Sequence, residues 1–304
     1  MVSRVGVLLM HHGAPGSENE VPGFLARLTG GRSSPAMEMA YLAKFRRCGG
    51  SPQAFLVDKL AEALQVALRP RLADCLVTQG SLFGRGSIAD AVSDLAVAGV
   101  STLVAVVLVP QRSRATADRY LARLREAIDA AGLTAPLAWV DGWATEPHLV
   151  AAFASRVAEA LADLPPATAS TPPTIFTAHS LPRAALSEGD PFVAELQATA
   201  AAVAQATGLA DWQLAYQSPG RLPGPWLGPF VGDTLRHLAE RGERLALVVP
   251  IQFLFDNLET LYDLDVELRR QADALGIELC RASAPNDTPL LVAALAALVS
   301  SALP

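Results

Sequence analysis

The sequence predicts an α/β protein made of two doubly wound Rossmann-like domains with parallel sheets, related by pseudo-duplication. Three observations carry this. Short β-branched and aliphatic runs alternate with longer Ala/Leu/Arg segments of helical period, which is the pattern of parallel strands with helices on both faces. The second half echoes the first: "TLVAVVLVPQRS" and "RLALVVPIQFLF" are both apolar runs broken by proline, and a strand leading to "HHG" corresponds in order to one leading to "AHS". The chain has 304 residues, half of them hydrophobic, which suffices for two cores.

In order, "VGVLLM" (Val5–Met10) reads as a buried strand and Ala54–Leu68 as an amphipathic helix. "DCLVTQG" is a strand, "SIADAVSDLAVAG" a helix stopped by Gly99, and "STLVAVVLVP" a strand. "SRATADRYLARLREAIDAAG" is a helix and "LAWVDGW" a strand. The pattern then restarts with a helix over Glu146–Leu164, the strand "PTIFTA", a helix over Pro191–Thr207 and the strand "DWQLAYQS". A helix over Pro229–Arg241, the strand "RLALVVP", a long helix from Asp256 and a last helix from Leu290 complete the chain. The division predicted is 1–145 and 146–304, with the break near Gly142–Pro147, close to the "ATASTPP" loop, and with the last helix free to pack back on the first domain. Ligands of such folds sit at the carboxyl ends of strands, so a cleft between the domains is expected, with His11, His12 and His179 at its mouth.

The bulk numbers exclude several function classes. A net charge of −6 and a pI near 5.4 recruit neither nucleic acid nor an anionic membrane. Cys48, Cys75 and Cys280 are far apart and form no C-x-x-C pair, which argues for a reducing compartment and against a cysteine-ligated cluster. The N-terminus lacks a signal-peptide layout, and no apolar run approaches a membrane span. A cytoplasmic protein is expected.

Three segments stand out chemically. His179 closes the strand "PTIFTA" and is followed by a Ser-Leu-Pro turn, a position that suits either a functional imidazole or one bonded to nearby backbone. "YQSPGRLPGPWLGP" (Tyr216–Pro229) is a Gly/Pro-rich loop with an embedded indole, either a packed Ω-loop or a wall of a binding site. On a helix, Glu259, Asp263 and Glu267 fall at i, i+4 and i+8, a column of like charge that must be solvated, protonated or bridged by cations. Asp256 and Glu259 also have capping-box spacing, so a solvated face or a helix cap accounts for them equally.

Together, "TAHSLP", "QSPGRLPGPWLGP" and "DNLETLYDLDVE" resemble the signatures of the ferrochelatase family, in order and at familiar spacing. "GVLLMHHGAPGSENEVPGFLARL", "GGSPQAFLVDKLAEAL" and "LVPQRS" extend the resemblance over nearly the whole chain. It implies the chelatase fold and a lyase of haem (porphyrin) biosynthesis that inserts Fe²⁺ into a porphyrin, with metal and porphyrin as substrates. It also implies that His179 and Glu259 are the catalytic and metal-contacting pair, with Asp263 and Glu267 a proton or metal relay behind them. An imidazole that changes charge near neutral pH, and is borderline-soft, suits proton acceptance or transient Fe²⁺ ligation. Met10, Ile251 and Trp226 are expected as apolar porphyrin contacts, with Arg32, Ser113 and Thr116 facing propionates and His12 reaching the ring from its other side.

The chain departs from the family pattern in three places. Asn257 stands where the family often has histidine, His12 where soluble bacterial relatives acting on coproporphyrin often place tyrosine, and "SLFGRGS" offers only Arg85 where a basic pair can occur. The chain stops after its last helix with no cysteine-bearing extension, so neither an iron–sulfur cluster nor any other resident cofactor is expected. Compact members of this kind more often use coproporphyrin III, giving coproheme, and the alternative ring is protoporphyrin IX. Haem-pathway enzymes that supply porphyrin or take product are the expected partners, without nucleic acid or membrane insertion. Rival readings are a cobalt or nickel chelatase of a sirohydrochlorin-like tetrapyrrole, a non-enzymatic haem or porphyrin carrier, and a two-domain binding protein.

Overall fold

Runs such as Val5–His11 and Thr102–Val107 form strands because their β-branched and aliphatic side chains fill both faces of parallel sheets. The computed structural model describes residues 4–164, 171–220 and 223–303. The strands are β1 (Val5–His11), β2 (Cys75–Ser81), β3 (Thr102–Val107), β4 (Leu137–Val140), β5 (Thr174–His179), β6 (Trp212–Gln217), β7 (Leu245–Val249) and β8 (Glu278–Arg281). They make two four-stranded sheets, ordered β2-β1-β3-β4 and β6-β5-β7-β8, and every pairing is parallel. The second order is the first, shifted by four strands. The duplication read from the sequence is therefore a duplication of topology.

Ten α-helices connect the strands: α1 (Val21–Leu28), α2 (Pro35–Arg47), α3 (Gln53–Leu68), α4 (Ile88–Val97), α5 (Arg114–Ala131), α6 (Pro147–Ala162), α7 (Phe192–Thr207), α8 (Val231–Glu240), α9 (Arg269–Leu275) and α10 (Pro289–Ala302). Their starts follow local chemistry. Ser87 and Asp90 form a reciprocal capping box on α4, Thr288 accepts from Leu291 N–H, and proline occupies the first turn of α6 and α10.

Two compact units result. The first comprises residues 1–110, 116–143 and 286–304; the second, 111–115 and 144–285. The division is thus not a single cut, because α10 belongs to the first unit and residues 111–115 to the second. In the first unit Leu8 and Met10 of β1 pack with α4 and α5 through Ile88, Leu95, Tyr120 and Leu124, while α3 and α10 cover the opposite face. In the second unit α8 and α9 cover one face through Leu235, Leu238 and Ala272, packed on Ile175, Ala246 and Val248. Residues 165–170, which include the start of the "ATASTPP" stretch, lie outside the described residues.

The structure departs from the sequence reading after β7. The helix expected from Asp256 starts at Leu258, runs as a π-helix over Thr260–Leu268 and returns to α-helix in α9. Asp256 does not cap it. Asn257 Oδ1 accepts from Glu259 N–H (2.9 Å) and Thr260 N–H (3.2 Å), and no capping box with Glu259 forms. Helices α1 and α2 and strand β8 were not legible in the sequence pattern. Arg270 pairs with Glu267 at 3.4 Å.

Candidate active site

In the second unit the strand order reverses direction between β5 and β7, and the loops leaving those two strands frame the crevice where α/β sheets bind ligands. His179 is the last residue of β5. Its backbone N–H donates to Gln252 Oε1 at 2.7 Å, so the residue is held from the chain that leaves β7. The same chain continues through Asn257 to Glu259, whose carboxylate closes on the imidazole: His179 Nδ1 lies 2.9 Å from Glu259 Oε1.

That contact fixes the tautomer. A carboxylate accepts, so Nδ1 carries the proton and Nε2 is left as the free lone pair of the neutral ring. Burial works most strongly on the imidazole and lowers its pKa, but the charge and hydrogen bond of Glu259, with Asp263 behind, outweigh it and raise the value above the usual 6.5. For Glu259 burial again opposes the charged form. The His179 charge and hydrogen bonds from His179, Ser218 and Gln217 prevail and lower its pKa. The pair is partly exposed, with 37% and 27% of the side-chain surface open.

Ser218 adds a link that the sequence pattern did not reveal. It is a non-glycine residue in the left-handed region, φ 54°, and its hydroxyl donates to Asp263 Oδ2. Gln217 Nε2 donates to Glu259 Oε1 at 3.3 Å. Glu259 and Asp263 are therefore bridged by two consecutive side chains at the end of β6. Glu267 has partners of its own: Tyr262 donates to it at 3.2 Å and Arg270 pairs with it. Among the described residues no three His, Cys, Asp or Glu side chains converge as a metal-holding group.

The other expected residues divide by exposure. Met10 and Ile251 are fully enclosed, Met10 in the apolar core and Ile251 with its carbonyl accepting from Gln111 at 3.1 Å, so neither side chain offers open surface. Ser113 is likewise buried, with no partner for its hydroxyl among the described residues. Thr116 is half-buried at the start of α5. Arg32 is exposed and donates to the Thr29 carbonyl. Trp226 is half-buried against Gly220, where an added Cβ would sit 2.7 Å from the indole. The loop is also tied to the turn after β5, since Ser180 Oγ donates to the Leu227 carbonyl at 2.8 Å. Arg221 and Leu222 of that loop lie outside the described residues.

The adjacent histidines of the first unit separate cleanly. His12 is exposed, edge-on to Phe83 at 4.8 Å. His11 is buried, bonded through Nε2 to Gln79 Oε1 at 2.7 Å, with Gln79 in turn donating to Asp58. Burial pushes the His11 pKa down to about 4, which keeps that ring neutral. His11, Gln79 and Arg85 line a cavity of about 150 Å³ with Ala14, Ala54, Gly84 and Gly86.

A family model described as Ferrochelatase matches residues 4–303. A ferrochelatase of Acidobacterium capsulatum is 36% identical, covering 100% of this chain and 96% of its own. One of Herpetosiphon aurantiacus is 33% identical over 99% of both. A coproporphyrin III ferrochelatase of Anoxybacillus flavithermus is 33% identical, covering 97% and 95%. Among solved structures, SirB from Bacillus subtilis with Fe³⁺ superposes with a TM-score of 0.60 at 12% identity, covering 98% of this chain and 95% of its own, a likeness of fold.

Proposed function

The chain belongs to the ferrochelatase family and is an enzyme that inserts a metal ion into a porphyrin; on that premise we propose that it inserts Fe²⁺ into coproporphyrin III, giving coproheme, with His179 and Glu259 as the working pair. The observation that carries the assignment of roles is the 2.9 Å contact between His179 Nδ1 and Glu259 Oε1 at the carboxyl end of β5.

Insertion requires two pyrrole N–H protons to leave and a hydrated cation to shed water. Glu259, held ionised, is the base ready at neutral pH, while His179 acts in the fraction of molecules whose ring is neutral. An approaching divalent cation enlarges that fraction, because it disfavours the imidazolium by like-charge repulsion. The free Nε2 then serves as a pyrrole proton acceptor or a transient ligand, and Ser218 and Asp263 pass the proton outward from Glu259. Glu267, tied to Tyr262 and Arg270, stands at the outer end of the relay.

For the ring, support comes from relatives named coproporphyrin III ferrochelatase at about a third identity over nearly their full length. Protoporphyrin IX is the second reading, since similar relatives carry only the general family name. We place the reaction in the cytoplasm and in haem biosynthesis, with no resident cofactor; three cysteines cannot supply the four thiolates of a standard iron–sulfur cluster. Among the described residues no helix is long and apolar enough to cross a membrane.

The test is anaerobic incubation with Fe²⁺ and either ring, followed through the porphyrin absorption bands. Faster metallation of coproporphyrin III supports the proposal. Preference for protoporphyrin IX overturns the substrate assignment alone, and metallation of neither ring overturns the reaction.

A further inference from the structure

Glu259 directly precedes the π-helical segment Thr260–Leu268. A π-helical turn has wider, poorer hydrogen-bond geometry than an α-turn and persists where other contacts constrain it. One side chain grips the chain on both sides of Glu259. Arg281, at the end of β8, grips Asp265 in a bidentate fork, Nε to Oδ1 at 2.6 Å and Nη2 to Oδ2 at 2.9 Å. Its remaining arm reaches Asp256 Oδ1 at 2.8 Å and the Ala282 carbonyl at 3.2 Å. Asp256 lies in the turn before Glu259 and Asp265 in the π-helix after it. The guanidinium and Asp256 are nearly enclosed, at 11% and 12% side-chain exposure.

Burying such a cluster is weak evidence for stability, because desolvation offsets much of the attraction. What a planar bidentate fork supplies is geometry. Arg281 is paired through β8 to β7 and hence to β5, which carries His179. Both halves of the His179–Glu259 pair are thus referenced to one sheet, His179 directly and Glu259 through Arg281.

We propose that Arg281 is a positioning residue for the reaction, setting the Glu259 carboxylate against His179 by clamping Asp256 and Asp265. This rests on the reading of His179 and Glu259 as the working pair. Misplacement by about 1 Å can cost on the order of a hundredfold in rate, whereas ring binding does not depend on the clamp.

The experiment compares R281K, which keeps the charge but loses the fork, and D265N, which weakens the fork from its more exposed partner. Each is assayed well below its unfolding temperature, with kcat from iron insertion and porphyrin affinity from tetrapyrrole fluorescence. Expected is a fall in kcat of about tenfold or more in both, with porphyrin Kd within about twofold of wild type. Folded variants with lowered Tm but undiminished kcat overturn the proposal and leave Arg281 a structural residue. If R281K does not fold, D265N decides alone. An active wild type inactivated by E259Q, with both clamp variants at full kcat, sinks this inference only; a wild type that metallates no porphyrin overturns the functional reading and this inference with it.

Discussion

His179 and Glu259 meet as an ion pair at 2.9 Å, although one closes a strand and the other precedes a π-helical segment 80 residues later. Each charge supports the other, and the consequences for pH have definite sign. The raised His179 pKa makes its contribution to stability complete below the unfolded value of 6.5 and lost as pH rises through the folded value. The lowered Glu259 pKa makes its contribution present above 4.5 and lost as pH falls through the folded value. Replacing Glu259 by Gln removes the main upward influence while burial remains. NMR titration of the His179 ring should therefore show a lower pKa in E259Q than in wild type, and an unchanged value would mean the pair is not coupled in solution.

Turnover should respond to the same residues differently from binding. H179A and E259Q are expected to lower kcat for iron insertion by about 10² to 10⁴, the usual span for lost acid–base function. Porphyrin Kd should move by less than about threefold, because apolar ring contact dominates affinity. Full turnover in either variant would remove that residue from the chemistry.

In wild type the acid limb of the kcat/KM profile should lie above 6.5, the ordinary imidazole value, since His179 must be neutral to act and Glu259 holds its proton on. A limb below that value, near carboxylate titration, would assign the controlling group to Glu259 instead.

The frame was legible in the sequence because strand runs such as Val5–Met10 and Leu245–Val249 are continuously apolar and bounded by turn residues. Strand β8 escaped notice because it is four residues long at a sheet edge, with exposed Glu278 and charged Arg281 at its ends. Helix α2 buries only Phe45, so it carries no apolar stripe. The π-helix is invisible to composition, because its wider turns depend on anchors such as Arg281 that lie outside the segment. Met10 and Ile251 show the converse limit: an apolar residue beside a strand end reads the same whether it faces core or ligand, and both side chains are buried.

His11 gives a stability prediction independent of catalysis. Its folded pKa of about 4 lies below the unfolded 6.5, so the unfolded chain binds more protons between those values and stability falls as pH drops through that window. The expected loss from this group between pH 7 and 4.5 is about 2 kcal/mol. His11→Phe removes the titration while keeping bulk, so urea unfolding of the variant should show a pH dependence smaller by that amount, whatever its stability at pH 7. Equal slopes would mean that the ring is hydrated in solution.

Ser218 separates backbone strain from hydroxyl chemistry. At φ 54° any side chain with a Cβ is disfavoured, and the hydroxyl bonded to Asp263 is the compensation visible in the structure. Ser218→Ala keeps the strain and loses the bond, whereas Ser218→Gly loses both. The glycine variant should therefore be the more stable of the two by about 1 kcal/mol in denaturant unfolding. If the hydroxyl carries protons from Glu259 to Asp263, both variants lose turnover to a similar extent despite this difference in stability. Wild-type kcat in Ser218→Ala would show that protons leave Glu259 by another route, directly to solvent or through Gln217-bound water.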